Sequence, residues 1–533
     1  MTYYKSHRDS RDHLVRFPLV TAAQMQSLDQ RTIDEAKVRG TILMERAGHG
    51  VVQVLEHIFG SPGNIPITIL CGKGNNGGDG LVIARLLKQK RARVVVVLLD
   101  KPHTLTKDAQ SMYRRLRKLA PSLIKIQPSD EALRTSIQKA SLIVDALLGT
   151  GLSSAVREPY YSAIEYMNDV SVPCLAVDLP SGINSDTGEI MAIATKAQVT
   201  VTFGCPKIGL YLGNAINYAG QITTVDIGIP RQYVQELDTS CFLLTPAAIS
   251  PWLPIREKDS HKGTFGHAGM IAGSPGKTGS AALAARAALR VGAGLVTVAT
   301  PQSAQPGLDA KLFEPMTQAM PETSTHTLGL NALLPLLDFS KNLTAMAVGP
   351  GIGTDVETGE MIRTLLPQLS QPCVVDADAL NILAKDLSVL SARKGATILT
   401  PHPGEMARLV GHSSAKVINQ NRLGIARKFA KKHGVILVLK GARTIIANPD
   451  GDIAICDTGN PGMASAGMGD VLTGVIVSFL AQGLMPWEAA CTGVCLHGLA
   501  GDLAAKMVGE AGLIATDLVE HLPHAIQSIV SQE

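Results

Sequence analysis

Aromatic side chains are scarce in this chain, 4% of 533 residues with only two tryptophans, and no basic run is interleaved with them. That pattern excludes the stacking and phosphate-binding surface of a nucleic-acid binder. A formal charge of +4 is consistent with this, and the densest basic stretch, Arg114-Arg-Leu-Arg-Lys118, reads as one solvated helix face. No apolar run approaches the roughly 20 residues a membrane span needs; the longest, 471–480, is half that length. The eight cysteines lack Cys-x-x-Cys or Cys/His metal spacing. Cys491 and Cys495, one helical turn apart in an apolar segment, read as buried thiols in a reducing compartment. Residues 1–17 carry Lys5, Arg8, Arg11 and Arg16 but also two Asp and no apolar core. Neither a secretory signal nor a transit peptide fits, and a cytoplasmic location is expected. No internal repeat is evident, so the two halves are expected to be different folds.

What the chain has is glycine, 51 residues of it, within a composition that is 45% hydrophobic. Short β-branched strands alternate with helical runs, a pattern for α/β domains with parallel sheets. The most informative segment is Asn460-Pro-Gly-Met-Ala-Ser-Ala-Gly-Met-Gly-Asp470, followed by the helix-like run 471–480. Its glycines let three consecutive amides turn toward one point, and a helix N-terminus adds a positive dipole end for a phosphate. A carboxylate there is placed to take a proton from a hydroxyl while the amides hold a phosphoryl group. The alternative is an Asp N-cap after a flexible loop.

Other segments carry similar chemistry. Gly349-Pro-Gly-Ile-Gly353 follows the apolar run 345–348, a strand ending in a loop that a ligand can approach closely, or an ordinary tight turn. Asp376 and Asp378 follow a strand and, in extended backbone, share a face; they suit a metal–phosphate site or helix capping. His402 lies between two prolines, a ligand contact or a structural histidine. Lys440 ends the apolar run 435–439.

In chain order, Ser260-His-Lys-Gly-Thr-Phe-Gly266, Gly292-Ala-Gly-Leu-Val-Thr297, the Gly349 loop, Val375-Asp-Ala-Asp-Ala-Leu-Asn381, Thr400-Pro-His-Pro-Gly-Glu405 and Leu439-Lys-Gly-Ala-Arg-Thr444 span residues 260–444. With the Asp470 loop they resemble the ADP-dependent NAD(P)H-hydrate dehydratases of the ribokinase-like superfamily. The resemblance implies a substrate bearing a hydroxyl on C6 of its nicotinamide ring. Asp470 would deprotonate that hydroxyl, which attacks the β-phosphate of ADP; the ring nitrogen then expels phosphate, leaving NAD(P)H, AMP and phosphate. It implies Ala281, Gly351, His402 and Asp470 on the hydrate, and Lys440, Gly441, Ala442, Arg443, Thr444 and Gly469 on the nucleotide, with Mg²⁺. Ser280 stands where the family pattern has Gly.

The N-terminal half carries a second glycine segment. The buried-strand pattern 66–71 leads into Gly72-Lys-Gly-Asn-Asn-Gly-Gly-Asp-Gly80 and then the helix-like run 81–89. Strand, glycine loop and helix make the phosphate-binding arrangement of doubly wound folds, though without the dinucleotide fingerprint or a P-loop's Lys-Ser/Thr. Val144-Asp-Ala-Leu-Leu-Gly-Thr-Gly-Leu152 and Ala176-Val-Asp-Leu-Pro-Ser-Gly182 are likewise strands ending in an Asp and a loop. In a parallel sheet these ends converge, so Asn76, Asp145 and Asp178 meet in one crevice, oxygen donors that suit a hard cation. The alternative is a set of strand-end Asp residues capping turns.

With Phe203-Gly-Cys-Pro-Lys-Ile-Gly209 and Asp226-Ile-Gly-Ile-Pro230, this half resembles the NAD(P)H-hydrate epimerases. The resemblance implies K⁺ on Asn76, Asp145 and Ser181. It implies the hydrate on Asn75, Asn76, Gly77, Gly78, Asp79, on Gly149, Thr150, Gly151, Leu152, Ser153, Ser154, Ala155, and on Asp178, the candidate acid/base group. Arg46 stands where the family has Asn, reaching a phosphate or facing solvent.

The expected architecture is an N-terminal Rossmann-like doubly wound sheet over 20–232 and a C-terminal ribokinase-like α/β sandwich over 238–530, joined by the polar stretch 231–239. The Ala-rich helix 281–291 suits a ligand site or a subunit contact, and a homo-oligomer is expected. The rival reading is a ribokinase-like small-molecule kinase with a non-catalytic N-terminal module; it uses the same base and anion site.

Overall fold

The computed structural model describes residues 17–531 apart from Asn64 and Ser413. The basic segment before residue 17 lies outside the described residues. The chain divides into two compact units, Pro18–Cys241 and the residues from Phe242 onward. Residues 231–239, read as a linker, contain the short helix Arg231–Gln235.

The first unit is built on a fully parallel seven-stranded sheet. From one edge the strands are Ile124–Ile126, Arg93–Leu98, Pro66–Cys71, Leu142–Ala146, Cys174–Val177, Val199–Phe203 and Gln221–Val225. The central strands are almost wholly buried, as a sheet covered on both faces requires. Strand order reverses between Pro66–Cys71 and Leu142–Ala146, and ligands bind outside the carboxyl ends of strands at such a switch point.

One sequence expectation is corrected there. The helix begins at Asn75, not near residue 81, and runs to Gln89, so most of the glycine segment is helical. These glycines serve close packing. A Cβ on Gly77 would lie 1.9 Å from the Gly72 carbonyl oxygen, and one on Gly80 would meet Ala146 and Cys71 at 2.7 Å. Glycine weakens a helix by about 1 kcal/mol relative to alanine. Here that cost lets Asn76 and Asp79 approach the strand ends, buried on the helix's first turns.

The second unit has a larger, mixed sheet. Its order includes Ile453–Cys456, Ile445–Ala447, Ile436–Leu439, Thr397–Leu399, Cys373–Val375, Ala345–Val348, His267–Ile271, Leu295–Pro301 and Met316–Met320. The first two pairings are antiparallel and the rest parallel. The reversal falls between Ala345–Val348 and His267–Ile271, whose ends lead into the Gly349 and Gly273 turns. The helices Thr278–Val291, Met468–Ala481, Pro486–Val508 and Ala515–Val530 contribute to one core cluster.

The Ala-rich helix spends its small residues inside the unit. A Cβ on Gly474 would lie 2.1 Å from the Ala284 carbonyl oxygen, so the two helices touch backbone to backbone. The expected subunit-contact role for this stripe therefore gives way to internal packing. All eight cysteines are buried and without disulfides. Among the described residues no helix is long and apolar enough to cross a membrane.

Candidate functional sites

The switch point of the first unit opens into a cavity of about 790 Å³. Asn75, Asn76 and Asp79 line it from the helix start, Gly149, Thr150, Gly151, Leu152, Ser153, Ser154 and Ala155 from the next loop, and Asp178 from the following strand end. Gly77 and Gly78 are not in its lining; Gly77 faces the Gly72 backbone, and Gly78 faces Met44 and Ala109. Asp178 adopts φ +66°, an unusual conformation for a side-chain-bearing residue. Its carboxylate Oδ1 accepts from Lys207 Nζ at 2.6 Å and from Thr202 Oγ1 at 3.2 Å.

Asp145 and Ser181 lie behind that wall, fully buried. Ser181 donates to Asp145 through both its hydroxyl (2.6 Å) and its amide (2.8 Å). The Leu148 amide donates to Ser181 Oγ, and Asn76 Nδ2 donates to the Leu148 carbonyl. Asn76 and Ser181 thus converge on Leu148, and Asp145 is tied to Ser181 and the Leu147 amide. Burial raises the Asp145 carboxyl against these hydrogen bonds, which lower it. Asn76 Oδ1 is buried with no partner among the described residues, an oxygen donor aimed at nothing that the protein supplies. An alkali cation fits that donor chemistry.

Two groups were missed from sequence. Lys207 is 1% exposed, and its ammonium donates to Asp178, Thr202 Oγ1 and the Phe203 carbonyl. It follows the strand Val199–Phe203 as the other site loops follow theirs, and that placement was the available signal. Asp29, on the helix Ala22–Asp34, lines the same cavity and reads from sequence as one more polar residue on an amphipathic helix. Burial raises its carboxyl to about 6, Lys207 opposing and Asp178 adding to the shift. Asp79 is pushed well above the usual carboxylate range by burial, then by Asp178 and Asp29. Arg46 is exposed and also donates to the Ile227 carbonyl at 3.0 Å.

In the second unit Gly467 takes φ +86° and the helix starts at Met468, three residues earlier than the sequence suggests. Its first turn-closing bond runs from the Val471 amide to the Gly467 carbonyl. The amides of Met468, Gly469 and Asp470 therefore have no partner within the helix and form its positive end. Asp470 sits within this turn. Burial raises its carboxyl to about 6; a hydrogen bond from Ser280 opposes this, Asp376 adds to it, Lys440 opposes it and Asp378 adds to it. Ser280, the departure from the family pattern, therefore lies near enough to the candidate base to lower its carboxyl.

Under this turn lies an ion pair. Asp376, 1% exposed, accepts from Lys440 Nζ at 2.8 Å and from Thr473 Oγ1 at 2.7 Å. A Cβ on Gly469 would stand 3.2 Å from Lys440 Nζ, so glycine brings the helix end down onto the ammonium. Asp376 and Asp378 do not share a face as expected. Ala377 takes φ +51° and a helix begins at Asp378, which turns the second carboxylate to the Gly353 amide (2.9 Å) and Lys277 (3.2 Å).

His402 caps the helix Pro403–Leu409, its Nδ1 accepting from the Gly404 and Glu405 amides, while its ring stays half-exposed. Burial and the nearby Lys440 and Arg408 hold it below the usual imidazole range. Gly351, at φ +67°, packs against Lys277, and Ala281 is covered beneath the Gly273 turn. Gly441 and Ala442 form an exposed loop. Arg422 pins that loop through the Leu439, Lys440 and Ala442 carbonyls, Arg443 pairs with Asp457, and Thr444 donates to the Gly441 carbonyl.

Residues 268–524 match the family model described as NAD(P)H-hydrate dehydratase, and residues 40–209 match that described as YjeF-related protein N-terminus. The chain is 44% identical over 514 residues to the bifunctional NAD(P)H-hydrate repair enzyme Nnr of Moorella thermoacetica, covering 96% of this chain and 97% of that one. It is 36% identical over 491 residues to the enzyme of the same name from Escherichia coli, covering 92% and 90%. A crystal structure of the ADP/ATP-dependent NAD(P)H-hydrate dehydratase from Bacillus subtilis, co-crystallized with ATP/Mg²⁺, is 30% identical and covers 54% of this chain and 98% of that one at a TM-score of 0.47.

Proposed function

The chain belongs to the bifunctional NAD(P)H-hydrate repair enzymes, and from that premise we infer how its two sites divide the work. The protein interconverts the R and S forms of NAD(P)H hydrate and dehydrates the S form with ADP, releasing NAD(P)H, AMP and phosphate. Residues 20–232 are the epimerase domain and 238–530 the dehydratase domain in this reading.

In the dehydratase, Asp470 takes the proton of the C6 hydroxyl, whose oxygen then attacks the β-phosphorus of ADP as AMP leaves. The N1 lone pair expels the phosphate from C6, and loss of a C5 proton restores the dihydropyridine ring. The amides at the start of Met468–Ala481 face the charge that develops on the phosphoryl oxygens, with Lys440 beneath them. Gly469 and the loop Lys440, Gly441, Ala442, Arg443 and Thr444 take the nucleotide; Ala281, Gly351 and His402 take the hydrate. Mg²⁺ brought by the nucleotide would supply neutralisation of phosphate charge.

The observation that carries this reading is Asp470 itself. A carboxyl held to about 6 beside open helix amides is ionised at neutral pH yet basic enough to accept a hydroxyl proton.

In the epimerase, Asp178 is the base and the 149–155 loop holds the substrate with Asn75, Asn76 and Asp79. K⁺ would be held by Asn76, Asp145 and Ser181, fixing the Leu148 peptide between the two loops; the unpartnered Asn76 Oδ1 supports this.

Near-ultraviolet absorbance follows recovery of NADH from mixed-epimer hydrate with ADP, Mg²⁺ and K⁺. The whole pool should convert faster than spontaneous epimerisation, and omitting K⁺ should slow only the R share. Recovery of one epimer's share alone would remove the epimerase assignment; a stable phosphorylated product would replace the dehydratase with a kinase.

A further inference from the structure

Within the first unit's cavity the buried charges do not balance. Asp29, Asp79 and Asp178 face a single buried ammonium, Lys207; Lys73 and Arg157 line the cavity from exposed positions. All three Lys207 donors are used, on Asp178, Thr202 and the Phe203 carbonyl. Lys207 therefore neutralises Asp178 and has no proton left for Asp29. Asp178 keeps its other oxygen open toward the Gly149 loop, where a glycine Cβ would stand 3.8 Å away. Asp29 Oδ1 is buried with no hydrogen-bond partner among the described residues. The groups facing Asp29 are Asp79 from the helix Asn75–Gln89, Asp178 after Cys174–Val177, and Cys205 and Lys207 after Val199–Phe203. Burial and the neighbouring Asp178 make ionisation of Asp29 unfavourable, and Lys207, already engaged, only partly offsets this.

We propose that Asp29 is the general acid of the epimerase, the proton-bearing partner of Asp178. This rests on assigning the cavity to epimerisation. C6 of the hydrate is bonded to both N1 and the hydroxyl, and the proposed inversion breaks and remakes the C–O bond. Asp29 gives its proton to the hydroxyl, and the C6–O electron pair leaves with oxygen as water while the N1 lone pair forms a C6=N1⁺ bond. Water adds to the opposite face through an oxygen lone pair, the π pair returns to N1, and the surplus proton passes to the Asp178 carboxylate. One water leaves and one enters; one proton leaves Asp29 and one arrives on Asp178. The return reaction runs with the roles exchanged, so one protonated and one ionised carboxyl are needed at every turn. The unpartnered Asp29 and the Lys207-paired Asp178 supply that asymmetry.

The test starts from R hydrate with full-length protein, ADP, Mg²⁺ and K⁺, reading NADH recovery. Asp29→Asn should slow R conversion by roughly 100-fold or more while binding of R hydrate, followed by equilibrium dialysis, is retained. Asp29→Glu should restore much of the rate. Because the acid form is required, wild-type R-to-S interconversion, followed by chromatography without ADP so that the dehydratase is silent, should fall as pH rises through about 6. Wild-type rates in Asp29→Asn, or binding lost in step with rate, would overturn the role. If Asp29→Asn does not fold, a wild-type rate that holds or climbs through that pH range overturns it. If Asp178→Asn also keeps its full rate, the cavity assignment itself is wrong, and that result is distinct from failure of Asp29 alone.

Discussion

Replacing Ser280 by alanine should move the acid limb of the dehydratase. Burial lifts Asp470 from 3.8 to about 6, and the Ser280 hydroxyl is the largest influence holding it down. A general base works only when ionised, so kcat/KM for S hydrate should rise with pH through about 6 and then level. The alanine variant removes the Ser280 hydroxyl beside the carboxylate; a hydrogen bond to a charged acceptor contributes at most roughly 1.5–3 kcal/mol there. Asp470 keeps some access to water, so the lower end applies. At about 1.4 kcal/mol per pH unit, the limb should shift upward by roughly one unit. Below the limb that is about a tenfold loss of rate, shrinking to almost nothing at alkaline pH. Initial rates of NADH formation from purified S hydrate, measured from about pH 5 to 9 at saturating ADP, read this directly. A limb that stays in place or moves down would refute the reasoning, because either outcome means that Ser280 does not stabilise the carboxylate. A uniform loss across the range would instead assign Ser280 to substrate fit.

Asp376→Ala should strand the Lys440 ammonium, leaving Glu405 at 3.9 Å as its nearest carboxylate; removing one partner of a buried pair destabilises by about 3–5 kcal/mol, seen as a lowered Tm, and an unchanged melt would show the pair to be idle. Gly77→Ala places a methyl 1.9 Å from the Gly72 carbonyl and should abolish R-epimer conversion through a displaced helix start; normal conversion would mean that the helix tolerates the shift. Asp470→Asn should inactivate the dehydratase yet stabilise the fold at neutral pH. The sign follows from a folded carboxyl raised from 3.8 to about 6: ionisation is penalised above that range, by up to roughly 3 kcal/mol, and the penalty vanishes as pH falls through it. Denaturant unfolding near pH 7 and near pH 4 checks this, and a variant less stable than wild type at neutral pH would contradict it.

Strand ends were legible from sequence because a buried parallel strand is a short apolar run and its exit loop is rich in glycine and acid. Asn76, Asp145 and Asp178 were picked out by that rule, and Asp470 by a glycine turn ahead of an apolar helix. Helix starts were less legible: both Asn75–Gln89 and Met468–Ala481 begin inside their glycine segments. Glycine signals flexible backbone in a sequence, but here it mainly allows close contact, at Gly77 against Gly72 and at Gly469 against Lys440. Asp376 and Asp378 were misjudged for a related reason. A left-handed alanine between them reverses the chain, and nothing about an alanine announces φ +51°. Asp29 escaped because its importance comes from three distant segments that face it, which no local pattern encodes.

The two sites solve one problem with the same physics. On the assignments proposed above, each needs a carboxyl that can exchange a proton with a hydroxyl on C6 near neutral pH, and an exposed Asp is too acidic for that. Each raises its carboxyl by burial at a switch-point crevice and keeps a lysine nearby, paired to another Asp: Lys207 with Asp178, and Lys440 with Asp376. The pairing is what sets the roles apart. In the first unit the lysine binds the proposed base and leaves Asp29 unpaired, able to carry a proton as pH falls through about 6. In the second it binds Asp376 and leaves Asp470 with a single hydroxyl donor, at about 6, ionised and ready to accept. Moving the lysine's partner, by exchanging which carboxyl it neutralises, would therefore change an acid into a base without changing the residue that touches substrate.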